Sequence, residues 1–525
     1  MIDLDQLKSE LSLQYQADCW IFLEDLEHRP SSTLYKTLLP LHKEAYQDPY
    51  RFVFFNFAPL NAATLEHVVR TVSYIDISPY FIQVVTNQPA TATYFEQLAE
   101  PINARLVSGE LNRTLVGNSQ PIFNNSNNLC AHAWAGLHAD PNGVTRLCCE
   151  YQDTIKRSDG TEFNLRQDNI VDILSSDYMI DIRNSFRQGK TPTACKKCVE
   201  IEHTGGMSKR ALTPFKLKNV YGNINWESDS AKENLGWVGG HLGNLCNLKC
   251  RICNPTFSSS IAVEQLQQLS LAAKKDDPVY HLLSNNSWNK TSDQFWTSIR
   301  SLVPRVKNFE FLGGEPLLLK ENLEFMQWLV DAGHSHDCIF EFVTNGTQYP
   351  QVFDSVDQFQ RLTITVSIDN IGKRFELERS GASWGTVSAN LTRLVQLKQN
   401  TNRIEINVSI TLNIQNILYL PELIVWLREQ QINNYYLNWL ETPRSLSIDQ
   451  MTAQAKQLVL DRLTSAQLGP RDRKELEYVI QRVEQAQTSD GQEFCRYMQE
   501  KDRLRNENFA ITHKEIANAM GYVLN

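Results

Sequence analysis

No stretch of this 525-residue chain approaches the ~18 consecutive apolar residues that a membrane-crossing helix needs. Its first residues, Met1-Ile2-Asp3-Leu4-Asp5-Gln6, have neither the basic nor the apolar segment of a secretory signal. Both absences lead to the expectation of a cytoplasmic protein without a membrane partner. There is no dominating block of Lys and Arg, and net charge is −9, so nucleic acid is not an expected partner. The most basic stretch, Lys196 to Lys218, is interrupted by apolar residues and reads as a solvated face. Internal repeats are also missing. Composition is that of a globular protein, with 42% hydrophobic and 21% charged residues.

The eleven cysteines are unevenly placed. Cys19, Cys338 and Cys495 stand alone and read as ordinary core or surface residues. The others cluster, and in a reducing compartment clustered thiols read as metal ligands rather than disulfides. The tightest group is Cys246, Cys250 and Cys253, in the run Gly243-Asn-Leu-Cys-Asn-Leu-Lys-Cys-Arg-Ile-Cys-Asn-Pro255. Three thiolates can hold three irons of a 4Fe–4S cluster. Clusters that only transfer electrons usually take four cysteines, so three leave one iron open for chemistry. A zinc site with a distant fourth ligand is the alternative reading.

The pattern of strands and helices places that loop. From Gly236 onward, six apolar β-rich segments alternate with helical ones: Trp237–Gly239, Asn308–Leu312, Ile339–Val343, Leu362–Ile368, Ile404–Leu412 and Tyr435–Leu440. Helical periods are expected at Ser258–Ala272, Glu321–Ala332, Gln351–Phe359, Trp384–Lys398 and Leu418–Gln430. Helical crossovers imply a parallel sheet. The fold class expected is therefore α/β, with a partial (β/α)6 TIM-like barrel or an open sheet. In such folds ligands bind beyond the carboxyl ends of the strands. The cysteine loop follows the first strand, Gly313-Gly314-Glu315-Pro316 the second and Thr344-Asn345-Gly346 the third. Ser367-Ile368-Asp369-Asn370 ends the fourth, Thr411-Leu412-Asn413 the fifth and Glu441-Thr442-Pro443 the sixth. Each loop alone has a mundane reading as a turn or strand end; their co-location is the stronger signal.

Gly236 to Pro443 resembles the radical S-adenosylmethionine (radical SAM) superfamily, which shares the C-x3-C-x2-C loop and the later Gly-Gly-Glu-Pro in that order. Ile252 departs from the aromatic residue more often found before the last cysteine. The resemblance implies that Cys246, Cys250 and Cys253 bind a 4Fe–4S cluster whose open iron is chelated by S-adenosyl-L-methionine. It implies that Gly313, Gly314 and Glu315 meet the methionine amine. Ser367 and Asp369 match positions near the ribose or sulfonium, and Arg379 a position against the ligand carboxylate. It further implies reductive cleavage to a 5′-deoxyadenosyl radical, with an electron donor such as flavodoxin or ferredoxin as partner.

Upstream, Cys130, Cys148, Cys149, Cys195 and Cys198 form a second set. Asp140-Pro141-Asn142-Gly143 reads as a turn that returns a hairpin and brings Cys130 near Cys148. Four thiolates, with Cys130, Cys148, Cys195 and Cys198 the set chosen, can ligate a second, auxiliary 4Fe–4S cluster. Cys149 in place of Cys148, or zinc in place of the cluster, are the alternatives. His132, His138 and His203 are further possible ligands, though structural roles suit them as well. The region looks like the twitch half-domain, a shortened relative of the SPASM domain, placed before the barrel rather than after it.

Four regions are expected: a small α/β module at 1–125, the twitch-like region at 126–235 with a helix at Ile170–Gln188, the partial barrel at 236–445, and a helical cap at 446–525. In the first, Arg51–Phe57 and Phe81–Val85 read as strands around a helix at Leu60–Tyr74. The substrate expected from the resemblance is a peptide or protein side chain. The alternatives are a small molecule, such as a sugar or aminocyclitol, and a non-enzymatic zinc scaffold. No general base can be assigned; Glu441, Tyr436 and Asn413 sit at strand ends.

Overall fold

The computed structural model describes residues 129–203, 208–216, 220, 222–285, 288 and 292–523, with four strands before them. Contacts divide the chain into two units, Met1–Asn128 with Cys198–Ser208, and Leu129–Lys197 with Lys209–Asn525.

In the first unit, β1 (Cys19–Phe22), β2 (Arg51–Asn56), β3 (Phe81–Thr86) and β4 (Ala104–Ser108) form a parallel sheet in chain order. β2 and β3 are the strands expected from their Phe- and Val-rich runs. β1 and β4 are additions, and Cys19 is the first residue of β1. The helix expected at Leu60–Tyr74 lies outside the described residues.

The second unit is built on one eight-stranded sheet of mixed direction, ordered β14-β13-β11-β10-β9-β7-β5-β6. The six strands expected from the sequence are all present and mutually parallel: β7 (Trp237–His241), β9 (Asn308–Leu312), β10 (Ile339–Thr344), β11 (Arg361–Ser367), β13 (Ile404–Leu412) and β14 (Tyr435–Trp439). The sheet continues through the cysteine-rich region: β5 (Gly136–Ala139) pairs parallel with β7, and β6 (Thr145–Arg146) pairs antiparallel with β5. Residues 129–197 therefore share a sheet and a hydrophobic core with the strands that follow. A short two-stranded ribbon, β8 (Lys249–Cys250) with β12 (Arg379–Ser380), lies in the loops beyond the strands.

Alternation separates the two faces of the sheet. On one face Phe309 and Phe311 of β9 and Phe340 and Phe342 of β10 are at most 1% exposed and pack with Phe325 of helix Lys320–Asp331. Burial of one such ring contributes roughly 1.5–3 kcal/mol. The other face is polar, carrying Glu310, Glu341, Thr363, Thr365, Glu405, Asn407 and Ser409 in register. The long helix expected at Ile170–Gln188 is two helices, Ile170–Leu174 and Asp177–Arg187. Ser176 between them is extended (φ −68°, ψ 155°) and bonds its hydroxyl to Ile173 O, which ends the first helix. Residues 351–358 wind as a 3-10 helix. The tail is helical as expected, with Ala453–Ser465, Pro470–Gln485 and Gln492–Arg505.

Candidate functional site

Because β7, β9, β10 and β11 run parallel, the loops after them gather at one end of the sheet. The cysteine loop leaves β7 and is fixed by hydrogen bonds from its neighbours. Ser258 donates to Leu248 O at 2.7 Å and caps helix Ser259–Gln267, while Ser260 donates to Cys246 O at 2.7 Å. Glu315 N donates to Leu245 O at 2.7 Å, so the Gly-Gly-Glu-Pro loop lies directly against the cysteine loop. The approach requires glycine at 314, where an added Cβ would sit 2.5 Å from Leu245 O and 2.6 Å from Asn244 O.

Glu315 is fully buried, and both of its oxygens have protein partners. Oε1 accepts from Leu317 N at 3.0 Å and Thr344 Oγ1 at 2.7 Å, and Oε2 accepts from Asn345 N at 2.6 Å. Burial pushes its pKa up to about 7. The carboxylate thus ties the loop after β9 to the loop after β10. A carboxylate has about four acceptor sites, so one remains on Oε2 for a further donor. Asn345 extends the link, donating to Asn247 Oδ1 at 3.0 Å beside Cys246.

On the other side, β12 pairs Arg379 with Cys250 and Ser380 with Lys249. Arg379 Nη1 lies 3.8 Å from Cys250 Sγ, and its Nη2 donates to Asp369 Oδ2 at 2.7 Å. Asp369 Oδ1 accepts from Thr411 N at 2.8 Å. Burial works against the Arg379 charge, but Asp369 and Cys250 outweigh it and hold its pKa above the ordinary value. Its buried Nε has no hydrogen-bond partner among the described residues. An orphaned guanidinium donor is costly unless a ligand accepts from it. Ser367 ends β11 half-buried, in register with Ser409.

The residue inside the motif, Arg251, is itself a structural anchor that the sequence did not reveal. Its side chain is wholly buried and donates to Asp502, to Glu507 at 2.6 Å and to Leu377 O at 3.2 Å. Tyr497 donates to Arg251 O at 2.6 Å, and Arg505 to Lys249 O at 2.7 Å. Ser380 donates to Glu507 at 2.6 Å. Helix Gln492–Arg505 and the residues after it therefore grip both strands of the β8–β12 ribbon. Only the long-range pairing shows this, because 251 and 502 lie far apart in sequence.

Burial raises all three thiols, Cys246 to about 11, Cys253 to about 12, and Cys250 also above its ordinary value. As free thiols they are protonated at neutral pH; metal binding would have to displace those protons. Among the described residues no three His, Cys, Asp or Glu side chains converge on a single-ion position. A cubane spaces its thiolates more widely than one ion does.

Upstream, the expected hairpin is present. Asp140 N donates to Val144 O at 2.8 Å and Gly143 N to Asp140 O at 2.8 Å, with Gly143 at φ +86°. Cys130 precedes helix Ala131–Ala135 and is buried, as is Cys148 just after β6. The two are close enough that a charge on Cys130 raises the pKa of Cys148, after burial the largest cause. Gln152 N donates to Ala194 O at 2.9 Å, which brings the Cys195 turn to the same loop. Cys149 is exposed, with the Lys209 charge nearby. Cys198 is buried on the first turn of helix Lys196–His203, in the stretch assigned to the other unit. His132 bonds Thr213 at 2.9 Å; His138 is buried with Nδ1 unpartnered among the described residues; the His203 side chain lies outside them.

Fold and site together define an α/β protein with a cysteine loop, a glycine-glutamate loop and an Arg–Asp pair at one end of its sheet. No family model matches the sequence, and no curated protein matches it. Solved structures are similar only remotely. The structure of native anSMEcpe with bound AdoMet and Cp18Cys peptide is 14% identical with a TM-score of 0.28, covering 44% of this chain and 58% of that one. SuiB of Streptococcus suis bound to S-adenosylmethionine is 11% identical with a TM-score of 0.27, covering 67% and 69%. SuiB bound to its precursor peptide SuiA is 13% identical with a TM-score of 0.26, covering 71% and 79%. The match thus spans about three-fifths of anSMEcpe, and at these scores none of the likenesses decides fold or activity. Among the described residues no helix is long and apolar enough to cross a membrane.

Proposed function

We propose that this chain is a radical SAM enzyme. The observation that carries the reading is the meeting of Cys246, the Gly-Gly-Glu loop, Asn345 and the Arg379–Asp369 pair at one sheet end, with an unsatisfied Arg379 donor among them. When bound, a reduced 4Fe–4S cluster and S-adenosylmethionine supply a 5′-deoxyadenosyl radical that abstracts hydrogen from substrate. The protein's part is to hold and orient. Cys246, Cys250 and Cys253 would ligate the cluster. Gly313 and Gly314 would meet a ligand amine through their backbone, and the spare acceptor site of Glu315 suits an ammonium. Arg379 would bind a carboxylate through its orphaned Nε, held in place by Asp369. Ser367 would meet the ribose or the sulfonium region, as the resemblance of its motif implies.

Cys130, Cys148 and Cys195 are proposed as ligands of an auxiliary cluster. Its role is electron transfer to or from substrate. A peptide or protein side chain is proposed as the substrate, on the resemblance of the motifs to peptide-maturing radical SAM enzymes. Flavodoxin or ferredoxin is proposed as the reductant. The test is incubation of anaerobically reconstituted protein with S-adenosylmethionine and dithionite, with chromatographic detection of 5′-deoxyadenosine. Formation by the wild type and loss in Cys250→Ala support the reading. Unchanged formation in Cys250→Ala, or none in the wild type, overturns it.

A further inference from the structure

Five aromatic rings run in contact between the two groups of cysteines. Phe257 lies in the loop that follows Cys253, its N–H donating to Asn254 O at 3.2 Å. Its ring centre is 4.8 Å from that of His241, the last residue of β7. His241 is 5.7 Å from His138 of β5, and His138 stacks on Trp237 at 6.3 Å with 11° between the planes. Trp237 meets His132 edge-on at 4.9 Å. Aromatic pairs in contact have ring centres about 4.5–7 Å apart, so every step of the series is closed. His132 is two residues after Cys130. His138 pairs across the β5–β6 hairpin with Arg146, two residues before Cys148.

A second observation sets these rings apart from ordinary core packing. Gly239 has both His138 and Glu310 as register partners, and Trp237 and His241 flank it two residues either side, so all three rings stand on the polar face of the sheet. Nδ1 of His138 and of His241 is buried without a hydrogen-bond partner among the described residues. A buried unpaired nitrogen is costly, and a leucine would fill such a place without that cost. Burial holds both imidazoles below their ordinary 6.5, so both are neutral rings at neutral pH. Lys209 Nζ lies 5.4 Å from the Trp237 ring centre, and a cation there opposes removal of an electron from the ring. The series therefore suits a bridge that an electron crosses, rather than stations oxidised in turn. Tunnelling weakens exponentially with the saturated gap to be crossed, and contiguous π systems shorten that gap.

We propose that Phe257, His241, His138, Trp237 and His132 form an electron path between the two cluster sites, an inference that rests on the proposed radical function and its auxiliary cluster. The path carries one electron from a reduced cluster at Cys130, Cys148 and Cys195 to the oxidised one at Cys246, Cys250 and Cys253, after S-adenosylmethionine has been cleaved. The donor loses one electron and the acceptor gains it; no bond forms or breaks and no proton moves. The upstream site is then a store that recharges the cleavage site. A one-electron reductant of the flavodoxin or ferredoxin class loads it.

The test uses full-length protein reconstituted anaerobically, reduced with dithionite and freed of excess reductant. S-Adenosylmethionine is added. Freeze-quench electron paramagnetic resonance then follows the reduced upstream cluster, whose signal Cys253→Ala identifies, while chromatography measures 5′-deoxyadenosine. In the wild type the upstream signal is expected to decay as 5′-deoxyadenosine forms. In His138→Leu that decay is expected to slow at least tenfold, and in His241→Leu likewise. His138→Phe, which restores a ring, is expected to decay as the wild type does. Thermal unfolding of each variant establishes that it is folded; if one leucine variant is not, the other decides. A smaller change in a folded leucine variant, or a folded His138→Phe as slow as His138→Leu, overturns the path. A wild type that forms no 5′-deoxyadenosine contradicts the radical reading itself. 5′-Deoxyadenosine formation with an upstream signal that is missing or persists sinks the path alone.

Discussion

Replacing Arg251 tests whether the C-terminal helix anchors the cysteine loop. Arg251→Met keeps much of the side-chain volume and removes the charge. In the native protein the guanidinium lies between Asp502 and Glu507, and both Arg251 and Asp502 side chains are 0% exposed. Without it, Asp502 keeps the Phe509 N–H (2.7 Å) and the Tyr522 hydroxyl as partners, but loses its only counter-charge among the described residues. Breaking one side of a buried ion pair costs roughly 3–5 kcal/mol. Against the roughly 5–15 kcal/mol of a typical folded protein, that is a large fraction. The assay is urea unfolding of wild type, Arg251→Met, Asp502→Asn and the double variant. The cycle should show a coupling energy of at least about 1 kcal/mol. The single variant should also retain less iron after reconstitution, because the β8–β12 ribbon holding Cys250 loses its clamp. A loss below about 1 kcal/mol with undiminished iron would refute the anchoring argument.

Gly314→Ala should abolish stable iron incorporation while leaving secondary structure by circular dichroism intact, since its methyl carbon meets Leu245 O at 2.5 Å. Wild-type iron content in this variant would show that the two loops can separate at no cost. Replacing Cys195 should leave S-adenosylmethionine cleavage in place but impair product formation; product analysis beside 5′-deoxyadenosine yield checks it, and unaffected turnover would make the second cluster dispensable. For pH, burial holds His132, His138, His241 and His513 below the ordinary 6.5, so the unfolded chain binds protons there that the folded chain refuses. Their contribution is complete above 6.5 and is lost as pH falls. Glu315 and Glu378, raised from 4.5 to about 7, act oppositely, favouring the folded state below 4.5 and losing that contribution as pH rises through 7. Asp369, also raised by burial, sides with the glutamates; the net expectation is that stability falls as the pH drops below about 6.5, the carboxyls offsetting part of the loss. Urea midpoints at pH 6 and pH 5 measure this, and a midpoint that rises on acidification would contradict it.

The sequence made the six parallel strands of the larger sheet legible, because each strand is a short apolar run and most crossovers carry a helical period. It also made the position of the cysteine loop legible, since the thiol spacing is local. The Asp140–Gly143 turn was readable for the same reason. The joining of β5 and β6 to the sheet was not: Gly136–Ala139 is only four residues long and is specified by its pairing with β7 rather than by composition. Nor was the role of Arg251, a charged residue between cysteines whose partners lie some 250 positions away. Arg379 was placed by resemblance, and its strand pairing with Cys250 came only from the folded chain. Spacing does not separate Cys148 from Cys149; in the folded chain the first is buried and the second exposed.

The proposed function requires one iron of a cluster held by the Cys246–Cys253 loop to be open to S-adenosylmethionine. Low-temperature electron paramagnetic resonance of the anaerobically reconstituted, dithionite-reduced protein tests it most directly, with and without S-adenosylmethionine. A variant lacking Cys130, Cys148, Cys195 and Cys198 isolates the signal. The expected result is a reduced 4Fe–4S spectrum that changes when S-adenosylmethionine is added and vanishes in Cys253→Ala. No cubane spectrum in the wild type, or one indifferent to S-adenosylmethionine, would contradict it.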